Sequence, residues 1–167
     1  MVDKYLKIDS TGFPKEVTAN DSTAGVGDAG KIVALNSSGV IDPTMLGTTE
    51  TLSVVSSENL AAGDFVNIWD NGGTANVRKA TNTGIATKAD GYVKASVTSP
   101  AAATVYRDNG VLTGLTSLTV GANYFLSTAG AVTTTIPTGA ASIVQAVGKA
   151  KSATELVVNI NDPIIRV

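Results

Sequence analysis

Residues 118–160 read LTVGANYFLSTAGAVTTTIPTGAASIVQAVGKAKSATELVVNI, and they restate a phrase the chain has already used. The earlier copy begins at Leu60 as LAAGDFVNIWDNGGTANVRKA. Both open with Leu, two residues and Gly (Leu60/Gly63 and Leu118/Gly121), and each Gly leads into an apolar strand, Phe65–Ile68 or Asn123–Leu126. A Gly-containing turn and a Val/Thr-rich strand follow in each copy. Gly91-Tyr-Val-Lys-Ala-Ser is echoed by Gly148-Lys-Ala-Lys-Ser, and Thr104-Val-Tyr-Arg-Asp more loosely by Leu156-Val-Val-Asn-Ile. Two long copies do not make a solenoid. They predict two similar β-lobes closed against each other.

Reading outward, strand signals run from Thr51 to the end. Thr51–Ser56, Asp64–Trp69, Thr74–Ala80, Tyr92–Thr98 and Thr104–Arg107 are expected strands. Asp70-Asn-Gly-Gly73 and Asp108-Asn-Gly110 supply turns, and Thr81–Asp90 is a polar loop. In Tyr92–Thr98, Tyr92, Lys94 and Ser96 would share one side, and Val93, Ala95 and Val97 the other. Ala140–Ala150 fits a helix or a strand. Gly148 disfavours the helix by about 1 kcal/mol, and the repeat aligns this piece with the strand at Tyr92, so a strand is expected. Strands at such spacing suggest a β-sandwich or small β-barrel body over residues 48–167. The fold class is all-β.

Residues 1–47 differ. They hold six acidic residues and four Lys, with apolar residues in small isolated groups. Ile8-Asp-Ser-Thr-Gly-Phe13 and Leu35-Asn-Ser-Ser-Gly-Val40 repeat at an offset of 27. Each is an Asx-led, Gly-closed hairpin turn between apolar residues. A lone hairpin is marginal in water, so this segment is read as an extended docking arm that needs a partner surface. Its candidate partner-binding residues are Ile8, Phe13, Ile32, Leu35, Val40, Ile41, Met45 and Leu46. Asp42-Pro-Thr-Met-Leu46 could form one helical turn capped by Asp42 before Gly47, and Thr48–Glu50 is the joint.

Composition narrows the function. Of 167 residues, 43% are hydrophobic and only 16% charged, with a net charge of −2. Globular domains usually carry about 25% charged residues. No basic footprint for nucleic acid is present, nor a polybasic patch or long apolar run for a membrane. The opening MVDKYLKIDSTG has no apolar core of a secretory signal. The chain contains neither His nor Cys, which excludes disulfides, Ser-His-Asp triads, Cys-His dyads and His/Cys zinc sites. No enzyme, cofactor or resident metal is expected.

Three motifs are weighed and set aside. Gly25-Val-Gly-Asp-Ala-Gly-Lys31 matches the letters of phosphate-binding loops. Its lead-in is too polar for a buried strand, Ile32 stands where Ser or Thr would bind Mg²⁺, and the strand-like Ile32–Leu35 follows where a helix is needed. Asp70-Asn71-Gly72-Gly73 could contribute to a Ca²⁺ site but lacks a second acid nearby. Trp69, Tyr92, Tyr106, Tyr124 and Phe125 could form a sugar or base platform, though strand aromatics are more often core. A carboxylate pair for glycoside cleavage has no mark in the sequence.

Asp28-Ala-Gly-Lys-Ile-Val-Ala-Leu-Asn-Ser-Ser-Gly-Val-Ile-Asp42 resembles a segment recurrent in virion proteins of tailed bacteriophages, in fibre shafts and capsid-associated proteins alike. Leu118–Ser127, Ala131–Thr138, Ile143–Ala150 and Ser152–Val158 resemble the C-terminal β-domain of phage head decoration (cement) proteins and related fibre modules. The resemblance implies a homo-oligomer, trimer favoured over dimer, on the outer surface of the capsid. There it would bridge subunits of the major capsid protein and stabilise the head. The alternatives are a tail fibre or baseplate component, and a carbohydrate-binding β-domain.

Overall fold

The computed structural model describes residues 4–22, 28–42, 45, 51–107 and 110–166. The chain is all-β and divides into two compact units, Met1–Thr48 and Thr49–Val167.

The first unit is built on its two repeated turns. β1 (Lys4–Ile8) pairs antiparallel with β2 (Pro14–Thr18), from Lys4 opposite Thr18 to Ile8 opposite Pro14. Asp9 closes the connection: its Oδ1 accepts from the Thr11 N–H at 2.8 Å, the Thr11 hydroxyl at 2.6 Å and the Phe13 N–H at 3.2 Å. Its own N–H donates to the Phe13 carbonyl at 2.9 Å, and Gly12 takes φ +86°. The second turn reproduces this pattern. Asn36 Oδ1 accepts from Ser38 and Val40, the Asn36 N–H donates to the Val40 carbonyl at 2.8 Å, and Gly39 sits at φ +73°. Asn20 joins the two segments by accepting from Ala34 and donating to Ile32. Ile32–Leu35 is therefore not a strand but one parallel bridge, Asn20 to Val33, because no described neighbour continues the ladder. Met45 N–H bonds the Asp42 carbonyl at 2.9 Å, and the rest of the helical turn expected there lies outside the described residues. Leu46, the Gly25–Gly27 part of the glycine motif and the joint at Thr48–Glu50 lie outside the described residues.

The second unit holds two lobes of one design. In the first, β3 (Thr51–Ser56), β4 (Phe65–Asp70), β5 (Ala75–Lys79), β6 (Gly91–Val93) and β7 (Ala102–Tyr106) form a closed barrel in the order β3-β5-β4-β6-β7. In the second, β8 (Gly110–Thr113), β9 (Asn123–Leu126), β10 (Val132–Thr133), β12 (Ala146–Ala150) and β13 (Glu155–Val158) form a sheet ordered β10-β9-β12-β13-β8. Substituting strand for strand, these are the same neighbours. The registers agree as well: Val66 faces Gly91 as Tyr124 faces Gly148, and Phe65 faces Tyr92 as Asn123 faces Lys149. Gly63 and Gly121 both adopt positive φ, +94° and +79°. β11 (Ile143–Val144) pairs with β14 (Ile164–Ile165) near the C-terminus.

Two expectations need correction. The loose match of Thr104 to Leu156 slips by one, since Val105 faces Val93 as Leu156 faces Ala150. A one-residue slip exchanges the faces of a strand. The strand expected at Tyr92–Thr98 stops at Val93. Its neighbour β4 begins where the Ala61–Asp64 turn ends, and the Gly63 N–H caps the Val93 carbonyl. Beyond that point only Leu60 and Val97 exchange backbone bonds. Within Ala140–Ala150 the expected strand forms in two pieces, Ile143–Val144 and Ala146–Ala150, and no helix.

The lobes differ in closure, and two core clusters result. β3 runs parallel to β5 at Val55–Asn76 and Ser56–Val77. By the cross-strand register, the second-lobe positions matching Val55 and Ser56 are Leu115 and Thr116. There the chain has already bent at Gly114, φ +83°, and β10 is two residues long. The second lobe stays open. The barrel interior holds Leu60, Val66, Val77, Val93, Ala103 and Val105. The open lobe is filled by its neighbour: Phe65, Ala80, Ala89 and Tyr92 of the first lobe pack with Leu112, Tyr124, Leu126, Val147 and Leu156 of the second. Gln145, almost wholly buried, locks the seam. Its Oε1 accepts from the Ala89 N–H at 2.8 Å, while Nε2 donates to the carbonyls of Ala89 at 2.9 Å and Asn161 at 3.0 Å.

Candidate functional site

No described residue of the first unit is buried, whereas the second contains every core side chain among the described residues. A β-hairpin with Tyr5 opposite Val17 has one half-covered face; the other carries Leu6 and Ile8 outward, 73% and 63% exposed. The turns add to this surface. Ile8 and Phe13 flank the first turn, and Leu35 and Val40 hold the equivalent places at the second. All four are exposed, Phe13 to 71%. Ile32 and Ile41 are exposed too, Met45 is half-buried, and Leu46 lies outside the described residues. Thus the Asx-Gly turns, by reversing the chain within five residues, hold apolar side chains out at both ends. Leu6 and Val33 are equally exposed and were not among the candidates. Leu6 had a legible signal, since it stands two residues before Ile8 on the same strand face.

The charges of this unit serve its turns. The Thr11 hydroxyl, then the Thr11 and Phe13 N–H groups, hold the Asp9 carboxyl below its usual range. Lys31 pairs with Asp28 at 2.9 Å inside the glycine motif, which leaves that lysine engaged rather than free for a phosphate. Lys4 pairs with Glu16 across the hairpin.

In the second unit the weighed motifs resolve into structure. Asp70 Oδ1 accepts from the Gly73 N–H at 2.7 Å and so ties its own turn. Tyr92 and Tyr124 are buried in the core shared by the lobes. Tyr106 stacks on Tyr92 at 5.6 Å, beneath the Lys94 ammonium at 4.3 Å. Trp69 donates to Ser57 and lies under the Arg78 guanidinium at 4.8 Å. Asp90 accepts from the Ile68 N–H, Asn67 and Lys88. Among the described residues no three acidic groups gather to hold a metal ion. A polar cleft of about 360 Å³ lies at the seam between the lobes, walled by Lys88, Asp90, Arg107, Gln145 and Asp162. A groove of about 380 Å³, less polar, crosses the outer face of β9, β12 and β13 around Phe125 and Val157.

No protein-family model matches the chain, and no curated protein matches it. A solved structure that does match is the head fiber gp8.5 N base of bacteriophage phi29. It gives a TM-score of 0.44 at 12% identity, over 66% of this chain and 93% of that one.

Proposed function

We propose that this chain is a structural protein of a tailed-phage head: a decoration protein that docks on the outer surface of the major capsid lattice through residues 1–47. The observation that carries the reading is the set of exposed apolar side chains at both turns of a unit none of whose described residues is buried. Such a surface is stabilised by covering it. The resemblance of Asp28–Asp42 to virion segments, and of residues 118–158 to decoration-protein β-domains, supports the major capsid protein as the partner. Ordering an arm at binding costs free energy, and display of several arms on one homo-oligomer, trimer favoured, offsets it through effective concentration. The role of the β-body in this reading is mechanical rather than catalytic.

The test is capsid endurance. Full heads lacking the protein are heated with and without the purified chain, and genome release is followed by dye fluorescence. Release shifted upward by several degrees, saturating at hundreds of copies per head, supports the proposal. An unchanged release temperature at saturating protein defeats it.

A further inference from the structure

The internal repeat allows one face to be compared with its own counterpart. Across the first lobe runs a ladder of Phe65, Tyr92 and Tyr106, with Asn67 beside it on β4. That face is covered by the second lobe, and Phe65 and Tyr92 are fully buried. The matching ladder of the second lobe is Asn123, Lys149 and Val157, with Phe125 in the place of Asn67. Here the face is open: Asn123, Lys149 and Val157 are exposed and Phe125 half-buried. The aromatic ladder that suits a dry contact between lobes has given way to one amide, one cation, one aliphatic side chain and a single displaced aromatic ring.

This face floors the groove of about 380 Å³, whose rim carries Asn123, Asn159 and Asn161. Pockets for small ligands begin at roughly 300 Å³. None of the three side-chain amides makes a hydrogen bond among the described residues. Several amides elsewhere in the same unit are engaged, Asn67 with Arg78, Asp90 and the Lys88 carbonyl, Asn59 with Ser99, and Gln145 three times, while Asn71, Asn76 and Asn82 make no side-chain bond among the described residues and do not gather at one groove. An amide presents a donor and an acceptor side by side, which matches two neighbouring hydroxyls on a pyranose ring. Phe125 and Val157 offer an apolar floor to the ring's C–H face, and the Lys149 ammonium adds a further donor. We propose that this groove binds the sugar units of an extended oligosaccharide. A contact between protein chains would favour the aromatic ladder that the first lobe keeps and this lobe has lost.

The proposal does not depend on the capsid role, because it concerns the isolated chain. The experiment is an NMR titration of the ¹⁵N-labelled full chain with maltohexaose, cellohexaose, chitohexaose and a galacturonate hexamer. Saturable shifts with at least one of them are expected in β9, β12 and β13 and in the three Asn side-chain NH₂ groups, with a Kd of about 1 mM or below. Asn123→Ala and Asn159→Ala should each weaken binding about tenfold, while Asn71→Ala, in the remote β4–β5 turn, should not. Phe125→Ala is a further test where its fold is confirmed by the spectrum. No saturable shift with any of the four, shifts centred on Trp69 and Arg78, or affinity unmoved by both Asn variants would each overturn the proposal. So would shifts of the groove amides on dilution of protein alone, which would make this face a contact between copies.

Discussion

Gln145 and Gly148 sit three residues apart and hold the second lobe together in opposite ways. Gln145 supplies polar partners to a buried backbone: without it the Ala89 N–H and carbonyl lose their side-chain partners. A buried unsatisfied group costs about 1–3 kcal/mol, so Gln145→Leu should destabilise the fold by about 2–4 kcal/mol, read by urea unfolding. Gly148 supplies absence. A Cβ there would meet the Val157 carbonyl oxygen and the Leu156 side chain, as one at Gly91 would meet Val105 and the Tyr106 carbonyl oxygen at 2.6 Å. Gly148→Ala should cost about 1–3 kcal/mol through overpacking. Gly84→Ala, where a Cβ meets nothing within 4 Å, should change stability by under about 0.5 kcal/mol. Asp9 gives a pH prediction. Its carboxyl titrates below the usual aspartate range because the folded turn favours the charged form. The contribution is therefore complete above the ordinary aspartate pKa and is lost as pH falls through the lowered value. The Thr11 and Phe13 amide shifts should move in that acidic window and stay flat in Asp9→Asn, which copies the Asn36 of the second turn.

At the scale of elements, the exposed turn flanks should be separable from the body. Phe13→Asp combined with Val40→Asp is expected to lower capsid binding tenfold or more. The melting temperature of residues 49–167 should be unaltered, since no core side chain changes. A parallel loss of body stability would show that these residues serve folding instead. Much of this level could be read beforehand. The paired Leu-x-x-Gly openings located β4 and β9, and the Asx-Gly spellings at Asp9 and Asn36 specified two turns of the same geometry. What could not be read has a common cause. Tyr92 and Val93 are adjacent, so alternation puts one of them outside, yet both are buried. One faces the barrel interior and the other the second lobe, and a wall covered on both sides loses its period-two signal. The equivalence of β3 and β8 was hidden because only Leu52 and Leu112 correspond as residues. The open face around Phe125 was hidden for the opposite reason. Its exposure depends on which lobe fills which, a tertiary choice that no local pattern encodes.

At the scale of the molecule, the two lobes of the second unit form one cooperative body. The open lobe borrows Phe65 and Tyr92 to complete its core, and the seam is bonded through Gln145 and through Gly130, which accepts from Phe65 and donates to Ala80. Residues 49–167 should therefore unfold in a single calorimetric transition, with the calorimetric and van't Hoff enthalpies in agreement. Residues 49–107 alone should stay unfolded or aggregate, with two buried aromatic rings exposed. Two resolved transitions would show the lobes to be independent. The first unit stands in contrast, with apolar side chains presented outward and none buried among its described residues. Its proposed role in docking is tested most directly by counting copies. Capsids lacking the protein are mixed with the full chain or with residues 49–167 alone, sedimented, and the bound copies measured per head. Hundreds of copies of the full chain and almost none of the shortened one is the expected result. Equal binding by both, or only a handful of copies of either, would contradict docking through residues 1–47.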